Sequence, residues 1–179
     1  MQVRIYKYAT KSTIVDISSA LNYHRKNKRN EEEYKGSIQF VIHQYTKEKL
    51  AFAYLPKSTA KMVMNTIISH HFHHIFPNGF TQYGGSLAKN IARILAIKYD
   101  SEQNKYVFGI SEGIGQLTET GGIKMTQKQK SVIAYLPYDE TLKIAHEIVD
   151  FIKQAEITAM MKGKPLYTLV PDYQQVQNA

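Results

Sequence analysis

Hydrophobic and polar residues alternate along the chain in short runs, and twice this two-residue period gives way to a helical one. In the first half, Gln2–Tyr8 sets Val3 and Ile5 against Arg4, Tyr6 and Tyr8. Ser37–Tyr45 sets Ile38, Phe40 and Ile42 against Gln39, Val41, His43 and Tyr45. Leu50–Leu55 follows after the polar turn Thr46–Lys49. Period two predicts strands with one buried face. Thr13–Ser18 is a weaker strand, and the stretch Thr13 to Tyr23 also fits a short helix. In the second half, Ile91–Tyr99, Lys105–Ser111, Ile123–Thr126 and Lys130–Leu136 read as strands.

After each set the period changes. Ala60, Val63, Met64, Ile67, Ile68, His71, Phe72 and Ile75 recur at i, i+3, i+4 and i+7, predicting a helix over 57–75 that stops before Pro77-Asn78-Gly79. Its apolar stripe includes His71 as a core residue. Leu142, Ala145, Ile148, Val149 and Ile152 predict a second helix over 138–161, ended by Gly163 and Pro165. Both helices follow the same four residues: Ala53-Tyr54-Leu55-Pro56 and Ala134-Tyr135-Leu136-Pro137. Proline suits this junction, because its φ near −65° and missing N–H are tolerated in a helix's first turn. The shared flanks make the chain an internal duplication.

The expected fold class is α+β, with two repeated units of a four-stranded antiparallel sheet followed by a long helix. The expected organisation is one domain: repeat 1 over 1–76, a linker over 77–90, repeat 2 over 91–161 and an extended tail over 162–179. At 179 residues, the chain is long enough for one sizeable core or two small ones.

Composition narrows the function. There is no cysteine, which removes disulfides, thiolate metal sites and cysteine nucleophiles and fits the cytoplasm or another reducing compartment. No apolar run reaches the roughly 20 residues of a membrane span, and Met1 to Thr10 lacks the apolar core of a secretion signal. The net charge is +8, and it is uneven: residues 1–80 carry +7 and residues 81–179 carry +1. A basic first half predicts a polyanionic partner. Arg93, Lys98, Lys105, Lys124, Lys128 and Lys130 are scattered through the second unit, which fits a unit that binds less and supports assembly.

Four strands and a helix, repeated in a basic, cysteine-free chain, resemble the Whirly and Pur-alpha group of single-stranded nucleic-acid-binding proteins. The resemblance spans residues 2–161 and lies in the order of elements. The Whirly strand motif Lys-Gly-Lys-Ala-Ala-Leu is missing; its nearest counterpart is Tyr34-Lys35-Gly36-Ser37-Ile38. The resemblance implies binding of single strands across sheet surfaces and homo-oligomers, dimers or tetramers.

If the apolar strand faces turn towards the helices, the free face of the first unit displays Arg4, Tyr6, Tyr8, Gln39, His43 and Tyr45. Rings interleaved with cations suit single strands, whose open bases stack for about 1–3 kcal/mol each. A duplex hides those base faces. The run His24-Arg25-Lys26-Asn27-Lys28-Arg29 is a second candidate, gripping phosphates without reading sequence, with Lys35 and Lys47 adding charge nearby. The expected activity is therefore largely sequence-independent, non-enzymatic binding of single-stranded DNA, or of RNA, without cofactor or metal.

Two rivals remain. His71-Phe72-His73 matches the short histidine pair of metal-dependent nicking and replication-initiator enzymes, with Tyr135 or Tyr138 as nucleophile; that chemistry needs the pair on a strand. His70, His73 and His74 share a helical face and form the candidate metal cluster, without an acidic fourth ligand. A structural or assembly role is the other alternative.

Overall fold

A computed structural model describes residues 3–21, 24–26, 32–34, 36–119 and 122–161; for 24–26, 32–34 and 87 it describes the backbone alone. The first sheet has the order β1 (Arg4–Ala9), β2 (Thr13–Ala20), β5 (Ser37–Gln44), β6 (Lys49–Pro56). Between β2 and β5 a short ribbon, β3 (His24–Lys26) and β4 (Glu32–Tyr34), is inserted. The second sheet runs β7 (Phe80–Ser86), β8 (Ile91–Asp100), β9 (Lys105–Leu117), β10 (Ile123–Pro137). Both sheets are antiparallel meanders. Each ends on an edge strand that runs directly into a helix: β6 into α1 (Lys57–Ile68) and β10 into α3 (Tyr138–Met161). The α+β duplication is thus present.

The handover works as the prolines dictate. Pro56 closes β6 opposite Ser37, and the first helical amide, Lys57 N–H, donates to Gly36 O at 2.9 Å. Asp139 and Glu140 occupy the first turn of α3, where the helix dipole favours acids.

One core unites the units. Ile38, Phe40 and Ile42 from the first sheet meet Leu95, Ile97, Phe108 and Ile110 from the second, together with Val63, Met64 and Ile67 of α1 and Ile144, Ile148 and Ile152 of α3. Phe40 and Phe108 stack with centroids 6.1 Å apart. Each such side chain contributes roughly 1.5–3 kcal/mol on burial. Glu156 of α3 receives Lys61 at 2.9 Å and Lys57 at 3.2 Å from α1, tying the helices at their surface.

Four expectations are corrected. The stretch 77–90 is no plain linker, because it holds β7, the second sheet's outer strand; Gly85 there approaches so closely that a Cβ would lie 2.1 Å from Ile91 O. The strands 123–126 and 130–136 are one strand, β10, whose polar middle is absorbed by irregularities between Met125 and Gln127 and between Lys128 and Lys130.

The helix expected over 57–75 ends at Ile68. His70 takes φ +62°, its N–H donates to Ile67 O, and His71 N–H donates to Thr66 O. This is a Schellman stop with histidine in place of glycine. A short α2 (Phe72–Ile75) resumes out of phase, so Phe72 is buried and His71 is exposed.

The alternation in β1 also changes phase. Register slips between Arg4 and Tyr6, so Ile5 is bulged and Tyr6 and Tyr8 pair with the core residues Ile17 and Val15. Tyr6 then donates its O–H to Glu140 Oε2 of α3 at 2.8 Å. Tyr6 and Tyr8 therefore pack on the helix side, not on the free face.

Candidate nucleic-acid interface

The helices cover one face of the first sheet and leave the other open. Cross-strand pairing defines the open face: Arg4 and Lys7 on β1; Ile14, Asp16 and Ser18 on β2; Gln39, Val41 and His43 on β5; Leu50, Phe52 and Tyr54 on β6. In β6 the small residues Ala51 and Ala53 face inward, leaving room for Phe40, while Leu50, Phe52 and Tyr54 face outward. Tyr54 is 43% exposed.

Hydrogen bonds make this face a fixed surface. Ser18 Oγ donates to Gln39 Oε1 at 3.2 Å, and Gln39 Nε2 donates to Tyr54 Oη at 3.1 Å, bridging three strands. Phe52 and Tyr54 meet edge to face at 5.8 Å. His43 meets Tyr45 at 4.6 Å. Tyr45 and Lys47 sit in the single 3-10 turn that joins β5 to β6, at the end of this face.

The second sheet reaches the same face. Arg93 of β8 lies over the Phe52 ring, 4.1 Å from its centroid, a cation–π geometry. Glu112 holds Arg93 from behind at 2.6 Å and also binds Lys130 at 3.1 Å. Burial pushes the Glu112 carboxyl up, but Lys130 and Arg93 outweigh it and hold the group below the usual carboxylate range. Arg4 is paired with Asp16 at 2.6 Å in a largely solvated contact worth under about 1 kcal/mol. An approaching phosphate exchanges such a contact at little cost.

Among the candidates named from sequence, Arg4, Gln39 and His43 come together on this face, with Tyr45 and Lys47 at its end. Gln39 is only 9% exposed and acts through Tyr54. Tyr6 and Tyr8 do not join them. The backbone of His24, Arg25 and Lys26 forms β3, but their side chains lie outside the described residues, as do Lys28, Arg29 and Lys35 altogether. Sequence reasoning missed Lys7, Phe52, Tyr54 and Arg93. The alternation of alanines with aromatics in Leu50–Leu55 was the available signal for Phe52 and Tyr54.

The second sheet has its own open face, of different character. Tyr83, Ile94, Ala96, Val107, Gly109, Ile133 and Tyr135 share it by register. By the same register Thr81, Lys98, Ser111 and Ser131 lie on it too, so it is mainly aliphatic with polar positions between, and around Ala96 and Gly109 it is made of small residues.

The histidine cluster does not form the strand-borne pair that nicking chemistry requires. His71 precedes α2, His73 lies within it, and the buried Phe72 separates them. Among the described residues, no group of three or more histidine or carboxylate side chains gathers as metal ligands do.

No protein-family model matches the chain, and no curated protein matches by sequence. Solved structures do match. The crystal structure of WHY1 from Arabidopsis thaliana superposes over 91% of this chain and 93% of its own, with TM-score 0.57 at 9% identity. WHY3 from Arabidopsis thaliana gives TM-score 0.55 at 9% identity, over 85% and 86%. The fold is Whirly-like. The plant transcriptional regulator PBF-2 agrees, with TM-score 0.51 at 8% identity, covering 90% of this chain and 87% of its own. At these identities the likeness concerns the Whirly-like architecture, and the chemistry of the open face rests on this chain's own residues. Among the described residues, no helix is long and apolar enough to cross a membrane.

Proposed function

We propose that this protein binds single-stranded nucleic acid without enzymatic turnover, and that the open face of the first sheet is the binding surface. The observation that carries the reading is the Arg93–Phe52–Tyr54 corner: two rings and a stacked guanidinium on a sheet face free of helices. Bases stack on Phe52 and Tyr54, while Arg4, Lys7 and Lys47 attract the phosphates. Stacking on rings tolerates any base, so the binding is largely sequence-independent. The Whirly-like architecture favours single-stranded DNA over RNA, and a homo-oligomer as the working form. PBF-2, one of the structural neighbours, is a transcriptional regulator.

The test is a fluorescence anisotropy titration with single-stranded DNA, duplex DNA and RNA at two salt concentrations. Single strands should bind in the low micromolar range or tighter, with affinity falling as salt rises. Equal affinity for duplex removes the stacking argument. Adding Mg²⁺ or Mn²⁺ to the same samples checks the nicking alternative: a cut strand or a covalent tyrosyl adduct would overturn the non-enzymatic reading.

A further inference from the structure

Away from the sheet face, where α2 and the turn after it meet the end of β8, lies a cavity of about 300 Å³. His73, Phe76, Asn78, Gly79, Lys98 and Tyr99 line it. The lining is rich in donors and poor in acceptors. Lys98 supplies an ammonium, His73 an imidazole and Asn78 an amide, and no carboxylate is among the lining residues. Neither Lys98 nor His73 has an ion-pair or hydrogen-bond partner among the described residues. The nearest acid along the strand, Asp100, is occupied: its Oδ1 accepts from the backbone N–H groups of Glu102 and Gln103.

The backbone is shaped to admit Lys98. Gly79 takes φ +85°, and a Cβ there would lie 2.5 Å from Cγ of Lys98 and 2.8 Å from Ile97 O. Only glycine closes this turn while leaving the lysine stem in place. On the other side the wall is aromatic. Tyr99 packs against His73 at 6.0 Å and against Tyr106 at 5.0 Å, and its O–H donates to Asn104 Oδ1, so its ring is held from several sides. A cationic, donor-lined end beside a fixed ring is the complement of a phosphate attached to a flat heterocycle. The volume stands at the small end of ligand sites and suits a single nucleotide.

We propose that this cavity binds a phosphomonoester carried on a nucleoside, with Lys98 and His73 on the phosphate and Tyr99 against the base. Two sources share this chemistry: a free nucleoside monophosphate and the 5′-phosphorylated end of a strand. The pocket is separate from the sheet face, so its ligand is tested independently.

Isothermal titration calorimetry on the full chain compares a nucleoside 5′-monophosphate with its nucleoside. The monophosphate should bind about tenfold more tightly, the gain of one charge-assisted contact. Lys98→Gln should remove most of that advantage, and His73→Gln should reduce it in the same direction. Both side chains are exposed, so both variants should melt like the parent. A second titration compares 5′-phosphorylated with 5′-hydroxyl single strands. A gain for the phosphorylated strand that Lys98→Gln abolishes assigns strand ends as a ligand, and a gain confined to the free nucleotide assigns the small molecule. Equal binding of nucleoside and monophosphate, or an undiminished preference in Lys98→Gln, overturns the proposal. Binding of the 5′-hydroxyl strand reports on the sheet face alone, so the two readings fail separately.

Discussion

The two units share a strand-to-helix junction, residue for residue over Ala-Tyr-Leu-Pro, yet they present opposite surfaces. Tyr54 and Tyr135 hold equivalent places, and both rings are exposed, at 43% and 59%. Around Tyr54 the first unit sets Gln39, Ser18, Phe52 and Arg4, joined by Arg93 from the second, a polar and cationic neighbourhood tied by hydrogen bonds. Around Tyr135 the second unit sets Val107, Gly109, Ile133 and Ala96, which donate nothing from their side chains, with Lys98 one strand beyond Val107. The duplication preserved what folding needs, the inward apolar set and the proline handover, and left the outward set free to diverge. One face suits a polyanion, and the other is mainly aliphatic.

The largest effect should come from the core the units share. Phe108→Ala removes the ring that stacks on Phe40 and should cost about 3–5 kcal/mol. Because both sheets line one core, chemical denaturation should still show a single transition. Two separate transitions would make the units independent domains and weaken the comparison.

Arg93→Ala comes next. It removes the cation from Phe52 and leaves Glu112 with Lys130 alone. Both Arg93 and Glu112 are mostly buried, so the loss should be about 2 kcal/mol of stability, measured by denaturant titration.

Acid should act through the same kind of pair. Burial raises the Glu156 carboxyl, but Lys61 and Lys57 lower it further, so its folded-state value lies below the unfolded one. A depressed carboxyl contributes stability above its unfolded value, about pH 4.3, and that contribution is lost as pH falls through the folded value. Glu156→Gln should therefore cost under about 1 kcal/mol near neutrality, and the difference from the parent should shrink and vanish as pH falls through the carboxyl's depressed folded value. A persistent difference at low pH would mean the residue acts through packing.

A local backbone effect separates α1 from α3. His70→Val places a branched side chain at φ +62° and should cost about 1–2 kcal/mol, while His70→Gly should cost almost nothing. Thermal melts of the two variants check this.

Much of this architecture was legible. The four sheet strands of the first unit, the duplication and the span of α3 followed from period, because long elements with a single buried stripe leave few alternatives. What escaped were places where one residue changes the phase. The bulge at Ile5 turned Tyr6 and Tyr8 inward, and no residue type announced it. His70 ended α1 where a glycine would have given warning. Gly84 and Gly85 made β7 look like a loop, although Gly85 marks a close backbone approach. For the candidate site, Gln39 and His43 kept their expected face because β5 pairs with β2 without a slip, and Arg4 kept it because it precedes the bulge. Phe52 was hidden by its size, since a large aromatic beside small alanines reads as core until the facing sheet is known to supply the bulk.

The most direct measurement compares two double variants in a single-stranded DNA titration. Phe52→Ala with Tyr54→Ala should weaken binding by about 2–4 kcal/mol at fixed salt, while Tyr83→Ala with Tyr135→Ala should leave it within twofold. If the second pair weakens binding as much as the first, or the first leaves it unchanged, the first sheet's open face is not where the strand lies.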